Sequence, residues 1–213
     1  LLRTKQYEFY RDYLFSFNDA RFKPVSLLAD IGTGSSDRKD ANPDGKYPLY
    51  VRSKDILKSD SFEFDEIAII IPGEGGVGDI FHYVDGKYAL HQRAYRIHFT
   101  DKNIYPKFAY YYFENSFKKF NLSKAVNGTV TSIRKPMIEN FMIPLIKFDE
   151  QVRIASIVER YDQKTAQIPR RGRAGVLDHR PERRNRTDVF LRRRRAGRDL
   201  WLRQQGSRQD LWR

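Results

Sequence analysis

Residues 66–84 read EIAIIIPGEGGVGDIFHYV, and this stretch decides how the chain folds. Glu66 to Ile71 form a β-branched apolar run with the length of a buried strand. The glycines from Gly73 to Gly78 match GxGxxG, a motif that binds dinucleotides where a helix begins directly after it. Residues 79–84 are instead a second strand pattern. The stretch therefore predicts two strands joined by a glycine-rich loop, and it argues against a nucleotide site.

The dipeptide Asp85-Gly86 comes next and predicts a tight turn, because Asp-Gly adopts the positive φ angles of a type I′ turn. We therefore expect a β-hairpin whose second arm runs from Lys87 to Phe99. Tyr47 to Val51 and Phe141 to Leu145 predict two further short strands. This half of the fold is consequently expected to be a largely antiparallel β body.

Helices are predicted at both ends of this body and within it. Apolar side chains share a helical face at Leu2, Phe9, Tyr10, Tyr13 and Leu14. Pro106 opens an aromatic helix with a shared face at Ala109, Phe113, Phe117 and Phe120. Asp149 is the expected N-cap of a last helix with a stripe at Ile154, Ile157, Val158 and Tyr161. The expected fold class is α+β: a mixed, mostly antiparallel β body with a few helices, flanked by long-helix segments at both ends. The end helices lack an evident partner in the body, so we expect them to pack on each other or on another chain.

Composition excludes several classes of protein. The 213 residues contain no cysteine, so a disulfide framework, a Cys-ligated zinc site and a thiol nucleophile are impossible. No apolar run approaches the 18 or so residues of a membrane span. The chain begins with Leu1 and lacks the pattern of a signal peptide. We expect a cytoplasmic, soluble fragment.

The net charge of +13 is concentrated in the last part of the chain. Residues 168–213 hold 15 Arg, no Lys and 5 acidic residues, whereas every Tyr precedes them. Two interpretations compete. The run Arg192 to Arg195 suits a basic arm that contacts phosphates. The abrupt change of residue usage and the missing hydrophobic periodicity favour instead a non-native or disordered tail, from an out-of-frame translation or a recombination junction.

No catalytic centre can be assembled from the motifs. The four histidines, His82, His91, His98 and His179, lack metal-ligand spacing, and we expect neither a metal nor a cofactor. Asp44, Asp85 and Lys87 fit the PD…DxK pattern of metal-dependent nucleases only if two turn sequences are read as catalytic. A small nuclease is therefore the weakest of the functions considered.

Basic and polar side chains in loops are the remaining functional signal. Such side chains contact phosphates, and Arg, Asn and Gln also make bidentate contacts with purines. The candidate DNA-binding residues are Arg52, Lys54, Arg93, Lys124, Asn127, Thr129, Thr131, Ser132, Arg134 and Lys135. Their composition alone fits ordinary solvated loops as well as a nucleic-acid face.

The order of segments resembles a known family, the specificity subunits of type I restriction-modification systems. The similarity runs over roughly residues 1 to 165. It is carried in order by KQYEFYRD (5–12), YPLYVRSKDI (47–56), the glycine loop, QRAY (92–95), FAYYYF (108–113), NGT (127–129), IPL (143–145) and DEQVRI (149–154).

This resemblance implies a domain organisation and a role. Residues 1–18 would be the end of a spacer helix, 19–148 one target recognition domain, 149–167 the start of a conserved helix, and 168–213 the Arg-rich tail. The role implied is recognition of double-stranded DNA. The resemblance also implies that the spacer helices form an antiparallel pair that docks methyltransferase subunits. Methyltransferase and restriction subunits would supply catalysis, and a second specificity half-subunit is a further expected partner.

A second function remains open on the residues alone. The end helices fit a protein-interaction module in which helix pairing is the function and DNA affinity comes only from the basic tail. Sequence preference among DNA duplexes distinguishes the two, because a basic tail has none.

Overall fold

A computed structural model describes residues 2–74, 78–124 and 132–166, with no side-chain detail for residues 2–6, 8, 124 and 164–166. The chain divides into two units, residues 1–169 and 170–213. The second unit lies outside the described residues, so the interpretations of the Arg-rich segment stay predictions. The described α-helices are α1 (Leu2–Leu14), α2 (Pro106–Lys124), α3 (Lys135–Glu139) and α4 (Phe148–Ala166), and two short 3-10 helices span Val25–Leu27 and Arg38–Asp40.

The β body contains a six-stranded sheet and a separate two-stranded one. The strands are β1 (Arg21–Pro24), β2 (Ala29–Thr33), β3 (Tyr47–Tyr50), β4 (Ile56–Ser59), β5 (Phe64–Pro72), β6 (His82–Leu90), β7 (Ala94–Phe99) and β8 (Met142–Leu145). The large sheet has the order β2-β7-β5-β6-β3-β4, and β1 pairs with β8. Among the paired strands of the described residues, β3 and β6 run parallel and all other pairs are antiparallel. The predicted α+β class with a mostly antiparallel body is therefore confirmed.

The predicted Asp85-Gly86 hairpin is wrong. Both residues lie inside β6, where Asp85 pairs with Ile67 and Gly86 with Glu66 of β5. Gly86 has a φ of 112°, which glycine adopts without strain, so the dipeptide is accommodated within the strand. Strands β6 and β7 do not pair with each other, since β5 lies between them. The chain instead leaves β6 through residues 91–93, which puts Arg93 in a short connection between strands.

The large sheet curls on itself. Ser36, just after the edge strand β2, forms a parallel bridge with His91, just after β6. The N–H of His91 also donates to the carbonyl of Tyr50 on β3 at 2.9 Å. The segments that follow β2, β3 and β6 therefore lie next to one another.

An ion-pair network ties three strands of the sheet together. Arg96 on β7 lies 2.5 Å from Asp30 on β2 and 3.1 Å from Glu66 on β5, and its side chain is 14% exposed. Tyr88 of β6 donates to the same Glu66 at 2.8 Å. His98 hydrogen-bonds the carbonyl of Ile67 at 2.8 Å, so its ring has a partner within the sheet.

The main core lies between one face of the sheet and helices α2 and α4. Phe113 and Phe117 of α2 are buried, and their rings lie 4.6 Å and 5.2 Å from that of Phe141. Ile69 and Ile97 supply the sheet side of this cluster. The aromatic stripe predicted for α2 is thus the core-facing side of the helix, and its burial holds the sheet against the helices.

The end helices α1 and α4 pack on each other, which is one of the two arrangements expected for them. The Tyr7 hydroxyl donates to Asp162, and the Tyr161 ring lies 6.1 Å from Tyr7 and 6.4 Å from Tyr10. Helix α4 begins at Phe148, so Asp149 lies in its first turn and is not its N-cap. The domain boundaries inferred from the resemblance remain predictions.

Candidate nucleic-acid interface

Gly73 joins three segments that are distant in sequence. Its N–H donates to the Arg93 carbonyl at 2.9 Å, and its own carbonyl accepts from the N–H of Ile133 at 2.8 Å. A Cβ atom at this position would lie 2.9 Å from the Arg93 carbonyl oxygen, closer than side chains normally approach. The missing side chain therefore lets residues 73–74, 91–93 and 133–134 meet.

Glu74 follows Gly73 and binds two arginines. Its Oε2 lies 3.2 Å from Nη1 of Arg52 and 3.5 Å from Nη1 of Arg93. The side chains are 41% exposed for Glu74, 44% for Arg52 and 61% for Arg93. All three groups are thus open to solvent and to a ligand.

Two clefts adjoin at Glu74. The first has a volume of about 260 Å³ and is lined by Arg38, Val51, Arg52, Ser53, Glu74 and His91. The second has a volume of about 400 Å³ and is lined by Thr33, Gly73, Glu74, Gln92, Arg93, Tyr95, Ile133 and Arg134. Among these described lining residues, four are arginines and Glu74 is the one carboxylate. The surface is therefore electropositive, and its guanidinium and amide groups suit phosphates and base edges.

Asp37 organises the connection that carries Gln92. Its carboxylate accepts from the Arg38 N–H at 2.6 Å and from Gln92 Nε2 at 3.2 Å. His91 Nε2 lies 3.3 Å from the same carboxylate, while its Nδ1 accepts from the Arg93 N–H at 2.9 Å. The Arg38 N–H lowers the pKa of Asp37 against the opposing effect of burial, and His91 acts in the same direction. These hydrogen bonds fix residues 91–93 beside the clefts.

Glu63 holds the loop after β2, which adjoins Thr33 in the lining of the second cleft. It accepts from the N–H of Ser35 at 2.7 Å and from the Leu90 N–H at 3.2 Å, and the Ser36 hydroxyl also donates to it. Burial opposes ionisation of Glu63, but these hydrogen bonds outweigh it and lower its pKa. Gly34 packs directly on Leu90, because a Cβ there would lie 1.8 Å from the Leu90 carbonyl oxygen. The loop after β2, which carries Thr33, is therefore held tightly against β6.

The sequence-predicted residues fall into three groups. Arg52, Arg93 and Arg134 are brought together around the two clefts. Lys54 and Ser132 lie in adjoining loops and Lys135 begins α3, and none of the three lines either cleft; Lys54 and Lys135 are exposed, and Ser132 is partly buried. The remaining four cannot be placed: Asn127, Thr129 and Thr131 lie outside the described residues, and Lys124 ends α2 without side-chain detail.

Sequence reasoning missed Arg38 and Glu74 as site residues. Arg38 begins a short 3-10 helix, Arg38–Asp40, in the polar segment before β3, and its basic neighbour Lys39 is the available signal. Glu74 was considered only as a variable position of the glycine motif. No local signal marks Glu74, because its partners are 22 and 19 residues away in sequence.

Neither a nucleotide site at the glycine motif nor a metal site has geometric support in the described part of the chain. Gly78 is followed by a turn and then β6, so no helix N-terminus stands behind the glycine loop. His82 hydrogen-bonds the Ser53 carbonyl at 3.2 Å. Among the residues the structure describes, no group of three or more His, Cys, Asp or Glu side chains is placed to hold a metal ion. Nor does any described helix combine the length and apolarity needed to cross a membrane.

Comparison with known proteins gives consistent matches over this body. The chain is 30% identical over 149 residues to the type I restriction enzyme EcoDI specificity subunit of Escherichia coli. The match covers 69% of this chain and 32% of that protein, so the chain spans about a third of its relative's length.

Solved structures match the fold. The S subunit of a type I restriction-modification system from M. genitalium matches with a TM-score of 0.64 at 17% identity, over 78% of this chain and 49% of that one. The HsdS subunit from Thermoanaerobacter tengcongensis matches with a TM-score of 0.57 at 16% identity, over 78% of this chain and 46% of that one.

The match to a family model settles the relationship. The model described as the type I restriction modification DNA specificity domain matches residues 22–174, which include strands β2 to β8, all of β1 except Arg21, and both clefts. The chain belongs to the family of type I restriction-modification DNA specificity domains.

Proposed function

We propose that the domain reads a short sequence of double-stranded DNA through the surface formed by the two clefts. The observation that carries this proposal is the convergence of Arg52, Arg93 and Arg134 around Glu74 and Gly73. Arginines attract phosphates and make bidentate hydrogen bonds with guanine, and Gln92 offers an amide of the kind that pairs with adenine. Loops at strand ends carry these groups, while the sheet and helices hold them in place.

The proposed role is that of a specificity component without catalysis of its own. The relative from Escherichia coli is a specificity subunit of a restriction enzyme, which supports assigning recognition to this domain. In this proposal residues 19–148 are the target recognition domain, and methyltransferase and restriction subunits modify or cut the DNA that it selects. A second specificity half-subunit would supply the other half-site.

Helices α1 and α4 are proposed as the spacer that connects the recognition domain to the rest of such a complex. Their mutual packing through Tyr7, Tyr161 and Asp162 supports this role. It also weakens the alternative that the chain is chiefly a helix-pairing module, because part of each apolar stripe already has its partner within the chain. Phe9 remains 56% exposed on α1, so a surface is left for a further subunit.

The test is selection of DNA by the full chain. The protein is incubated with a library of random duplexes at two salt concentrations, and the bound fraction is sequenced. We expect one short motif to be enriched, more strongly at higher salt, because non-specific phosphate contacts weaken with salt. Recovery of duplexes without any enriched motif would reject the proposal.

Two variants then test whether DNA contacts the clefts. Arg93→Ala should lower affinity for the selected duplex by about 10-fold, since a bidentate base contact contributes about 1–3 kcal/mol. Lys102→Ala removes an exposed cation beyond the opposite end of β7 and should change affinity little. Equal effects of the two substitutions would show that the clefts do not contact DNA.

A further inference from the structure

Glu74 is a carboxylate in the middle of a surface that is otherwise suited to a polyanion. Among the described residues that line the clefts it is the one acidic side chain, and it lies within 3.5 Å of both Arg52 and Arg93. A carboxylate repels phosphate and engages the cations that would bind it. Its position therefore opposes the affinity that the arginines provide.

Stability does not explain the presence of Glu74. Its side chain is 41% exposed, and those of Arg52 and Arg93 are 44% and 61% exposed. Ion pairs between exposed side chains contribute little to folding, because water screens them and holding long side chains costs entropy. The strand and loop positions nearby are fixed by other contacts, namely the Gly73 backbone hydrogen bonds and those to Asp37.

The geometry leaves each arginine able to read a base while Glu74 holds it. Glu74 contacts Nη1 of Arg52 and Nη1 of Arg93. A guanidinium has five N–H donors, so the edge formed by Nε and Nη2 stays available on each side chain. A guanine offers O6 and N7 as a matching pair of acceptors, and this contact does not require the Glu74 pair to break. Phosphate binding, in contrast, must compete with the carboxylate for the positive charge.

We propose that Glu74 is a specificity-determining residue of this surface. It neutralises and orients Arg52 and Arg93, so that phosphates of arbitrary DNA are bound weakly while base edges of the correct sequence are bound almost undiminished. This inference rests on the proposed function, because it assumes that the clefts read DNA. Glu74 is in this view a positioning residue that acts through the two arginines.

The test compares the full-length wild type with Glu74→Gln, which keeps the size of the side chain and removes its charge. Glu150→Gln on α4 is the matched control, since it changes the net charge equally at an exposed pair with Arg153. Each protein is titrated with the selected duplex and with a random duplex of equal length at several salt concentrations. The Arg-rich segment is the same in all three proteins, so differences report the substituted site.

For Glu74→Gln we expect about 3- to 10-fold tighter binding of the random duplex, with a log affinity against log salt slope steeper by about 1 to 2, as released arginines engage phosphates. Affinity for the selected duplex should change by less than about twofold, and Glu150→Gln should behave as wild type on both. Each of the three proteins should unfold in a single cooperative transition above the assay temperature, which excludes a folding defect.

Each other outcome has a defined meaning. A wild type without any preferred duplex overturns the proposed function and this inference with it. A wild type with a preferred duplex, combined with an unchanged ratio of selected to random affinity in Glu74→Gln, overturns only the role of Glu74. Selective loss of binding to the preferred duplex also overturns it, because the carboxylate would then itself contact a base. An equal gain in Glu150→Gln assigns the effect to net charge and removes the inference.

Discussion

The side-chain amide of Gln151 accepts a hydrogen bond from the N–H of Tyr105 at 2.8 Å, which joins the first turn of α4 to the loop before α2. Its Nε2 donates to the carbonyls of Asn103 at 2.8 Å and Ile146 at 3.0 Å. Gln151 is fully buried, so water cannot replace any of these bonds. One side chain therefore satisfies three backbone groups and holds α4 against the loop before α2.

Gln151→Glu should destabilise the domain by about 3 kcal/mol at neutral pH, because the charged oxygen that replaces Nε2 would face two carbonyl oxygens with no hydrogen to donate to them. Unfolding in urea at pH 7 measures the loss. Gln163→Glu introduces the same charge at an exposed position of the same helix and should leave the free energy of unfolding nearly unchanged. Similar losses in both variants would mean that charge on α4, rather than the buried amide, sets the effect.

Gly34→Ala should cost about 2–3 kcal/mol, because the new Cβ must displace the backbone of β6. The nearest atom to that Cβ is the Leu90 carbonyl oxygen at 1.8 Å. Gly32→Ala is the matched comparison, as its Cβ would meet only the end of the Arg96 side chain, at 3.3 Å. Thermal unfolding of the two variants should separate clearly, and equal midpoints would contradict the tight packing of this loop.

Glu114→Gln should stabilise the domain at neutral pH and have no effect in acid. Burial raises the pKa of Glu114, and the nearby Asp162 adds to the shift, while Tyr110 and Arg11 oppose it. The folded state thus favours the protonated form, and the associated stability is present at low pH and lost as pH rises through the folded pKa. Gln keeps an oxygen that accepts from the Tyr110 hydroxyl, which lies 2.8 Å from the carboxylate.

Melting curves from about pH 4 to pH 8 check this expectation, with the variant and wild type converging in acid. Glu150→Gln should show the opposite sign, because the Arg153 hydrogen bond lowers the pKa of Glu150. A Glu114→Gln variant that is less stable than wild type at pH 8 would contradict the argument.

Arg134→Ala combined with Lys135→Ala should weaken DNA binding and flatten its salt dependence by up to about two units of slope, as two phosphate contacts are lost. Arg134 lines the second cleft, whereas Lys135 starts α3 beside it and lies 3.8 Å from Glu139. Single substitutions should divide the effect unequally, with Arg134 the larger. Fluorescence anisotropy at several salt concentrations measures both quantities, and an unchanged slope would remove this segment from the interface.

Short stretches of sequence predicted α2 and β5 correctly, because residue spacing within each element determines it. Pro106 and the aromatic spacing after it place α2 correctly, and the β-branched run from Glu66 to Ile71 lies within β5. Asp85-Gly86 misled because the turn preference of two residues competes with the register of a whole strand. Pairing from Phe64↔Tyr88 to Ile70↔His82 and the burial of Val84 and Tyr88 outweigh it.

The candidate site was only partly predictable for a similar reason. Residue type alone indicated Arg52, Arg93 and Arg134, since basic side chains in loops suit DNA. The meeting of Arg52 and Arg93 at Glu74, with Arg134 in the adjoining cleft, depends on the order of strands in the sheet and on the curl that brings Ser36 to His91. No short stretch of the sequence predicts which strands become neighbours or how the sheet curls.

The hydrogen bonds of Gly73 have a consequence for synthesis of the protein on the ribosome. A nascent chain that has emerged only through α2 already contains Arg52, Glu74 and Arg93, but it lacks the Ile133 N–H that completes the Gly73 junction. Contacts between segments so far apart form after local helices and hairpins. An unfinished chain therefore lacks one side of this junction, and the surface proposed to read DNA is complete only after Ile133 and Arg134 have been translated.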